Sequence, residues 1–366
     1  MSADARVIIC FSKDTCAPIE TVARDETRVR GGLRLEEEPG APPAAAVRAA
    51  APEARCGADA VDAEAGAAVD AVDPGAARAA GENFPVALRL LPSSRRHYLM
   101  AVYGFARTTD DIGDQAPPAQ RGLLLDDLEA DLLRLYARPG GEPPGQACGL
   151  DGEGGAGGDR AEPRSRVVRA LGPAVSECGI PMQPFLDLIL ANRQDQVVAR
   201  YETFEELMGY CRLSANPVGR IVLHVFGCFS ERRAEMSDSV CTALQLAEHW
   251  QDVAEDLRAG RIYLPGQDMV AFGCTEEDLA QPSASPQVRA LIEFEAARAK
   301  TLLDAGAPLI ATLRGAARTA VAGYVAGGRA ALAAIAAADH DVLRGAPLPR
   351  KRRLAAELAL AFARGR

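Results

Sequence analysis

Beyond residue 82, large apolar residues recur at three- and four-residue spacing in one segment after another, and no stretch of useful length alternates apolar with polar residues. A helix buries every third or fourth side chain and a strand every second, so this pattern confines the chain to helices packed on helices. In "RRHYLMAVYGFARTTDDIGD" the stripe is Tyr98, Val102 and Phe105, with Leu99 and Tyr103 beside it. "QRGLLLDDLEADLLRLYARPG" reads as an amphipathic helix stopped at Pro139 and Gly140, and "MQPFLDLILANRQDQVVARY" as another. "TFEELMGYCRLSANPVGRIVLHVFGC" reads as one helix opened by a capping box, Thr203 with Glu206 three residues on. "SDSVCTALQLAEHWQDVAEDLRAG" has Ser and Asp near its start and Gly260 at its end. "PQVRALIEFEAARAKTLLDAGAPLIATL" and "AVAGYVAGGRAALAAIAAADHDVL" complete the set. Alanine dominates the hydrophobic share and aromatics are only 5%, which suits close helix packing. The expected fold is all-α, over residues 82–366.

Two segments read differently. Residues 1–80 are almost all Ala, Pro, Gly and charge, too poor in large apolar side chains to bury a core, and read as a disordered or loosely helical extension. The glycines and prolines of 138–165 read as a flexible insertion between helices.

Composition narrows the function. A net charge of −9 lacks the basic footprint of nucleic-acid binding. Nine cysteines form no C-x-x-C pair, and none of the four histidines pairs with a cysteine at ligand spacing, so zinc and disulfide frameworks are not expected and a reducing cytoplasm is. The N-terminal "VIICF" is too short for a signal peptide, and no apolar run reads as long enough to span a bilayer.

Two turns carry more acid than a solvated helix needs. Asp110 and Asp114 in "RTTDDIGD" are four apart, so they share a face, with Asp111 to one side. Asp252 and Asp256 in "HWQDVAEDLRAGRIYLP" repeat the spacing, with Glu255 alongside. Like charges at this spacing repel, and Gly113 costs helix propensity for no evident packing gain. Both turns follow strongly apolar stretches, which places them inward, where carboxylates need cations. Hard carboxylate oxygens suit Mg²⁺, which takes one or two carboxylates and completes its shell with waters and substrate phosphates. Arg107, Arg258 and Arg261 lie within reach of the two turns, and a guanidinium fork suits phosphate.

"YGFARTTDDIGD" and "WQDVAEDLRAGRIYLP" resemble the two aspartate-rich signatures of the squalene and phytoene synthases, and "RYETFEELMGYCRLSANPVGR" resembles the segment between them. The resemblance implies an isoprenoid-synthase helical bundle with a central cavity, a prenyl diphosphate substrate and Mg²⁺ as cofactor. By position it makes Asp110, Asp111, Asp114, Asp252, Glu255 and Asp256 the metal-binding set. It gives diphosphate to Arg107, with Arg261 in reach, and the reaction chamber to Tyr210, Asn216, Gln245 and Tyr263. Phe84, Tyr103, Phe105, Phe185, Leu223 and Phe226 are its candidate apolar wall. Within the family, "ENFPVALRLLP" and "YCRLSANPVGR" resemble the bacterial hopanoid-pathway branch, whose hydroxysqualene synthases act on presqualene diphosphate. Glu82 and Asn83 stand where the wider family has a serine and a basic residue, Glu248 where it has asparagine, and Gln251 where many members have arginine.

These implications leave alternatives open. Termination by water gives hydroxysqualene, and hydride from NADPH gives squalene; the chain carries no dinucleotide fingerprint to support NADPH, and the family's reductases lack one too. A sister activity would condense two allylic diphosphates into phytoene or presqualene diphosphate. A helical subunit without chemistry is the remaining alternative, and the intact aspartates disfavour it. The basic tail "RGAPLPRKRRLAAELALAFARGR", with Leu354, Leu358 and Phe362 as its stripe, is compatible with peripheral contact at the inner membrane face and equally with packing on the bundle. Partnership with other squalene or hopanoid enzymes follows from the resemblance alone.

Overall fold

The computed structural model describes residues 91–137 and 162–364. The readings of 1–80, of most of 138–165, and of Glu82, Asn83, Phe84, Pro139, Gly140 and the Phe362 side chain lie outside the described residues. In chain order the helices are α1 (Ser93–Gln115), α2 (Pro118–Tyr136), α3 (Arg166–Cys178), α4 (Gln183–Gln194), α5 (Phe204–Ser214), α6 (Asn216–Val225), α7 (Glu231–Gln251), α8 (Val253–Arg258), α9 (Gly266–Ala271), α10 (Glu276–Leu279), α11 (Pro286–Gly306), α12 (Leu309–Thr312), α13 (Gly315–Ala337) and α14 (Lys351–Arg364). Among the described residues the only β pairing is one isolated bridge, Arg200 with Ile262.

The bundle is organised around α7. From Val240 to Leu246 every side chain of this helix is buried, so neighbours cover it on all sides. Helix α11 packs along it, α6 and α13 flank it, and α5 crosses near its end. Small residues set these distances. At Gly306 of α11 an added Cβ would press on the Met236 carbonyl and Val240 of α7, so only glycine allows that approach. Burial of Leu291, Leu303, Val325 and Ile335 around this axis supplies the core, at ~25 cal/mol per Å² of apolar surface removed from water.

Three sequence readings need correction. The segment read as one helix from Thr203 breaks at Ala215 (φ −108°, ψ −49°), because Pro217 has no N–H to bond the preceding turn. The capping box at Thr203 is present. Helix α7 starts at Glu231, capped by Ser230, well before the expected start; Ser237 is buried mid-helix. Finally, α13 is long and apolar enough to cross a membrane by length and composition, where the sequence reading found no such run; most of it is buried inside the bundle. The tail helix α14 packs against α13, with Ala361 buried and Leu358 against the core.

One buried acid gives the fold a pH signature. Glu295 of α11 is fully buried, and Arg298 Nη1 bonds both its Oε1 (3.2 Å) and Asp268 Oδ2 (2.6 Å). Burial pushes the Glu295 carboxyl up to about 8, with Arg298 opposing and Asp268 adding to the rise. The folded state therefore holds a proton that the unfolded chain has lost, and stability falls as pH climbs from the ordinary carboxylate range towards 8. Unfolding free energy from urea melts is expected to decline between about pH 5 and about pH 8.5, and Glu295→Gln to flatten part of that decline. A Gln variant with the full wild-type slope contradicts the assignment.

Candidate active site

Both acidic turns line one cavity. Helix α1 turns Asp110 and Asp114 into it, the α7–α8 junction contributes Asp252, and α8 contributes Glu255 and Asp256. Asp252 is not inside a helix: it sits between α7 and α8 with φ −102° and ψ 13°, and its carbonyl accepts the Asp256 N–H at 2.8 Å. The turns also touch directly. Arg261, just after the second turn, donates through both Nη atoms to Asp114 Oδ1 of the first, each at 3.1 Å. Surrounding carboxylates hold Arg261 protonated despite its burial.

Asp110 is the acid under most stress. Burial pushes it up to about 8; Asn192 opposes by donating to its Oδ1 at 3.0 Å, and the Asp114 and Asp195 charges add to the rise. Gly113 explains how Asn192 reaches this position. A Cβ on residue 113 would run into the Asn192 side chain, so the glycine that looked costly in the sequence has a packing purpose. Gly113→Ala is expected to lower stability by roughly 1–3 kcal/mol, since the overpacked side chain cannot keep its bond to Asp110; chemical denaturation checks it.

The opposite wall comes from α4, α5 and the segment after α8. Asp195, at the end of α4, accepts a hydrogen bond from Tyr210 Oη at 2.9 Å. Tyr263 is brought alongside by backbone pairing: the Ile262 N–H donates to the Ala199 carbonyl (3.0 Å) and the Gly266 N–H to the Tyr201 carbonyl (2.9 Å). Tyr210 and Tyr263 have ring centroids 5.8 Å apart. Burial, followed by the Asp195 charge, raises both phenols well above their ordinary range, so both stay protonated. Gln245, Glu248 and His249 of α7 complete this side.

Several expected residues stand elsewhere. Asp111 points away from the cavity, paired with Arg107 Nε at 3.0 Å and with Gln115 at 2.7 Å, and neither Asp111 nor Arg107 lines it. The cause is helical geometry: one residue past Asp110 lies about 100° round α1. Asn216 is buried at the start of α6, where it accepts the Thr242 hydroxyl at 2.9 Å and ties α6 to α7. Arg258 is exposed. Phe105 and Phe185 pack edge to face, centroids 5.2 Å apart, in the solid core. Leu223 lines a smaller apolar cavity between α6, α7 and α13. Asp195, His249 and Asn192 were missed by the sequence reading. Asn192 and Asp195 lie outside the two acidic stretches and His249 at the head of the second, and tertiary packing brings them in.

The donor set fits a divalent ion of the Mg²⁺ kind. The cavity carries seven carboxylates, Asp110, Asp114, Asp195, Glu248, Asp252, Glu255 and Asp256, all hard oxygen donors. Among the described residues no three acids or histidines converge as a ready cage. That suits an ion held by one or two carboxylates, with waters and phosphate oxygens filling the rest.

An all-α bundle with paired acidic turns facing one cavity defines an isoprenoid-synthase class of enzyme. The family model for squalene/phytoene synthase matches residues 77–354, and the chain belongs to that family, whose enzymes act on prenyl diphosphates. It is 35% identical over 236 residues to the hydroxysqualene synthase of Sinorhizobium fredii, covering 64% of this chain and 72% of that protein. The hydroxysqualene synthase of Rhodopseudomonas palustris is 36% identical with the same coverage. Among solved structures, the squalene synthase HpnC from Alicyclobacillus acidocaldarius is 39% identical with a TM-score of 0.61, over 70% of this chain and 89% of that one.

Proposed function

We propose that this enzyme converts presqualene diphosphate to hydroxysqualene, by loss of diphosphate, rearrangement of the resulting cation and capture by water. The observation that carries the reading is the meeting of two acidic turns at one cavity, joined by Arg261. The two hydroxysqualene synthases at 35% and 36% identity support this branch over others in the family. Asp110, Asp114, Asp252 and Asp256 would hold Mg²⁺, with Glu255 beside them; bound there, it supplies the positive charge that makes diphosphate a leaving group.

The chain's own groups do the rest. Arg261 offers planar donors to diphosphate oxygens by exchanging Asp114 for substrate. Tyr210 and Tyr263 present aromatic faces to a passing cation. Asp195 takes up the Tyr210 proton donor, which leaves the phenol oxygen's lone pairs to face positive charge. Apolar flanks from Ala106, Leu188 and Ala191 limit stray water, which would quench the cation early. The cavity encloses about 80 Å³, room for two or three waters. A prenyl chain therefore needs the wall to open.

The test is to incubate purified protein and Mg²⁺ with presqualene diphosphate, and separately with farnesyl diphosphate, and to identify products by mass spectrometry with and without NADPH. Hydroxysqualene from presqualene diphosphate without NADPH is expected. Turnover of farnesyl diphosphate alone would favour a head-to-head condensing enzyme instead.

A further inference from the structure

We propose that His249 fixes the Gln245 amide as the holder of the water that ends the reaction, and thereby directs the product towards an alcohol rather than a hydrocarbon; the inference rests on presqualene diphosphate being the substrate. His249 is buried on α7 and lines the cavity one turn before Asp252. Its ring lies flat on Tyr263, with centroids 3.7 Å apart and planes 13° from parallel. Its Nε2 is 3.1 Å from Gln245 Nε2, one helical turn back on the same face. An amide NH₂ only donates, so the imidazole accepts at Nε2 and carries its proton on Nδ1. That edge faces Asp256 Oδ2 at 3.9 Å, beyond direct hydrogen-bond range.

This arrangement suits a nucleophilic water. Such a water must donate to an acceptor and keep a lone pair for carbon. The Gln245 amide, held through its nitrogen, presents a neutral carbonyl oxygen that can accept a hydrogen bond from a water. A carboxylate at the same place would attract the cation and could itself be alkylated; the amide does neither readily. The imidazole lone pair, tied to Gln245, is shielded from alkylation in the same way. Position fits as well. The carbon that loses diphosphate starts beside the acidic turns, and Gln245 and His249 are the neutral polar residues on the α7 side of the cavity, next to Asp252. In the capture step the water oxygen forms the C–O bond and one O–H bond breaks. The proton passes to the released diphosphate. Without a held water the cation instead loses a C–H proton to that diphosphate and closes to an alkene, which needs no further reactant.

The experiment reads product ratio, so it is independent of rate. His249→Phe keeps a ring on Tyr263 but no acceptor for Gln245; His249→Gln restores an acceptor. With presqualene diphosphate and Mg²⁺, His249→Phe is expected to shift the alcohol-to-alkene ratio at least tenfold towards alkene, and His249→Gln to recover most of the alcohol. An unchanged ratio in His249→Phe, or an equal shift in both variants, overturns the inference. If His249→Phe fails to fold by circular dichroism, Gln245→Leu decides, with the same alkene shift expected and an unchanged ratio overturning it. A wild-type protein that leaves presqualene diphosphate untouched overturns the substrate reading itself, which is a distinct result.

Discussion

Asp252→Asn gives a folded protein whose Mg²⁺-dependent consumption of prenyl diphosphate falls about a thousandfold, the scale seen when one preorganised electrostatic contact to a leaving group is removed. The substitution keeps size and hydrogen-bonding capacity and removes one negative charge. Asp252 sits at the α7–α8 junction, where asparagine is tolerated as well as aspartate, so no backbone penalty is expected. In a cavity lined by seven carboxylates, losing one charge also relieves repulsion. Thermal stability without metal should therefore hold or rise while turnover collapses, the opposite directions expected where function requires a destabilised site. Steady-state turnover beside a thermal melt checks both. Wild-type turnover in the Asn variant would leave the acidic cavity without a metal role and revive the reading of a helical subunit without chemistry.

The second large effect is on stability. Mg²⁺ and inorganic diphosphate added together are expected to raise Tm by roughly 5–10 °C at a hundredfold excess over their joint Kd, because a ligand bound only by the folded state contributes about 2.7 kcal/mol there. Either alone should do much less. The acids do not form a closed cage, so the ion needs phosphate oxygens to complete its shell, and diphosphate alone meets seven carboxylates. Differential scanning fluorimetry with each component and with both separates the cases. Equal shifts from Mg²⁺ alone would mean a preformed metal site, and no shift with both would argue against diphosphate binding here.

Much of this was legible in the sequence, and the misses have physical causes. Helical periodicity located the helices because each buries one stripe and exposes the rest. It failed at the start of α7, where the buried positions are Ala234 and Ser237, one small and one polar, among exposed Glu231, Arg232 and Glu235, so no large apolar stripe announces the helix. It also failed at Ala215, where Pro217 ends one helix and begins another without disturbing the apolar pattern. Within the site, Asp110, Asp114, Asp252 and Asp256 could be found because two turns of like charge each follow a strongly apolar stretch, which sets them inward. Their common cavity, and the Arg261–Asp114 bond between the turns, depend on how distant segments pack. Asp195 and His249 carry no local signal: one follows a helix end, and the other stands ahead of the second acidic turn without being part of its carboxylate spacing. Gly113 was visible but misjudged, since its reason is Asn192, seventy-nine positions along the chain.

Helix α7 carries two duties at once. Its outer turns set spacing against Gly306 and the rest of α11, while its last turns present Gln245, Glu248, His249 and Asp252. A change on the back of this helix therefore propagates to the reacting groups through a rigid rod, and the helix has little room to drift over generations. Laboratory evolution aimed at new chain lengths or new terpenes should spare it and randomise Leu188, Ala191 and Ser214, which face the same space from α4 and α5.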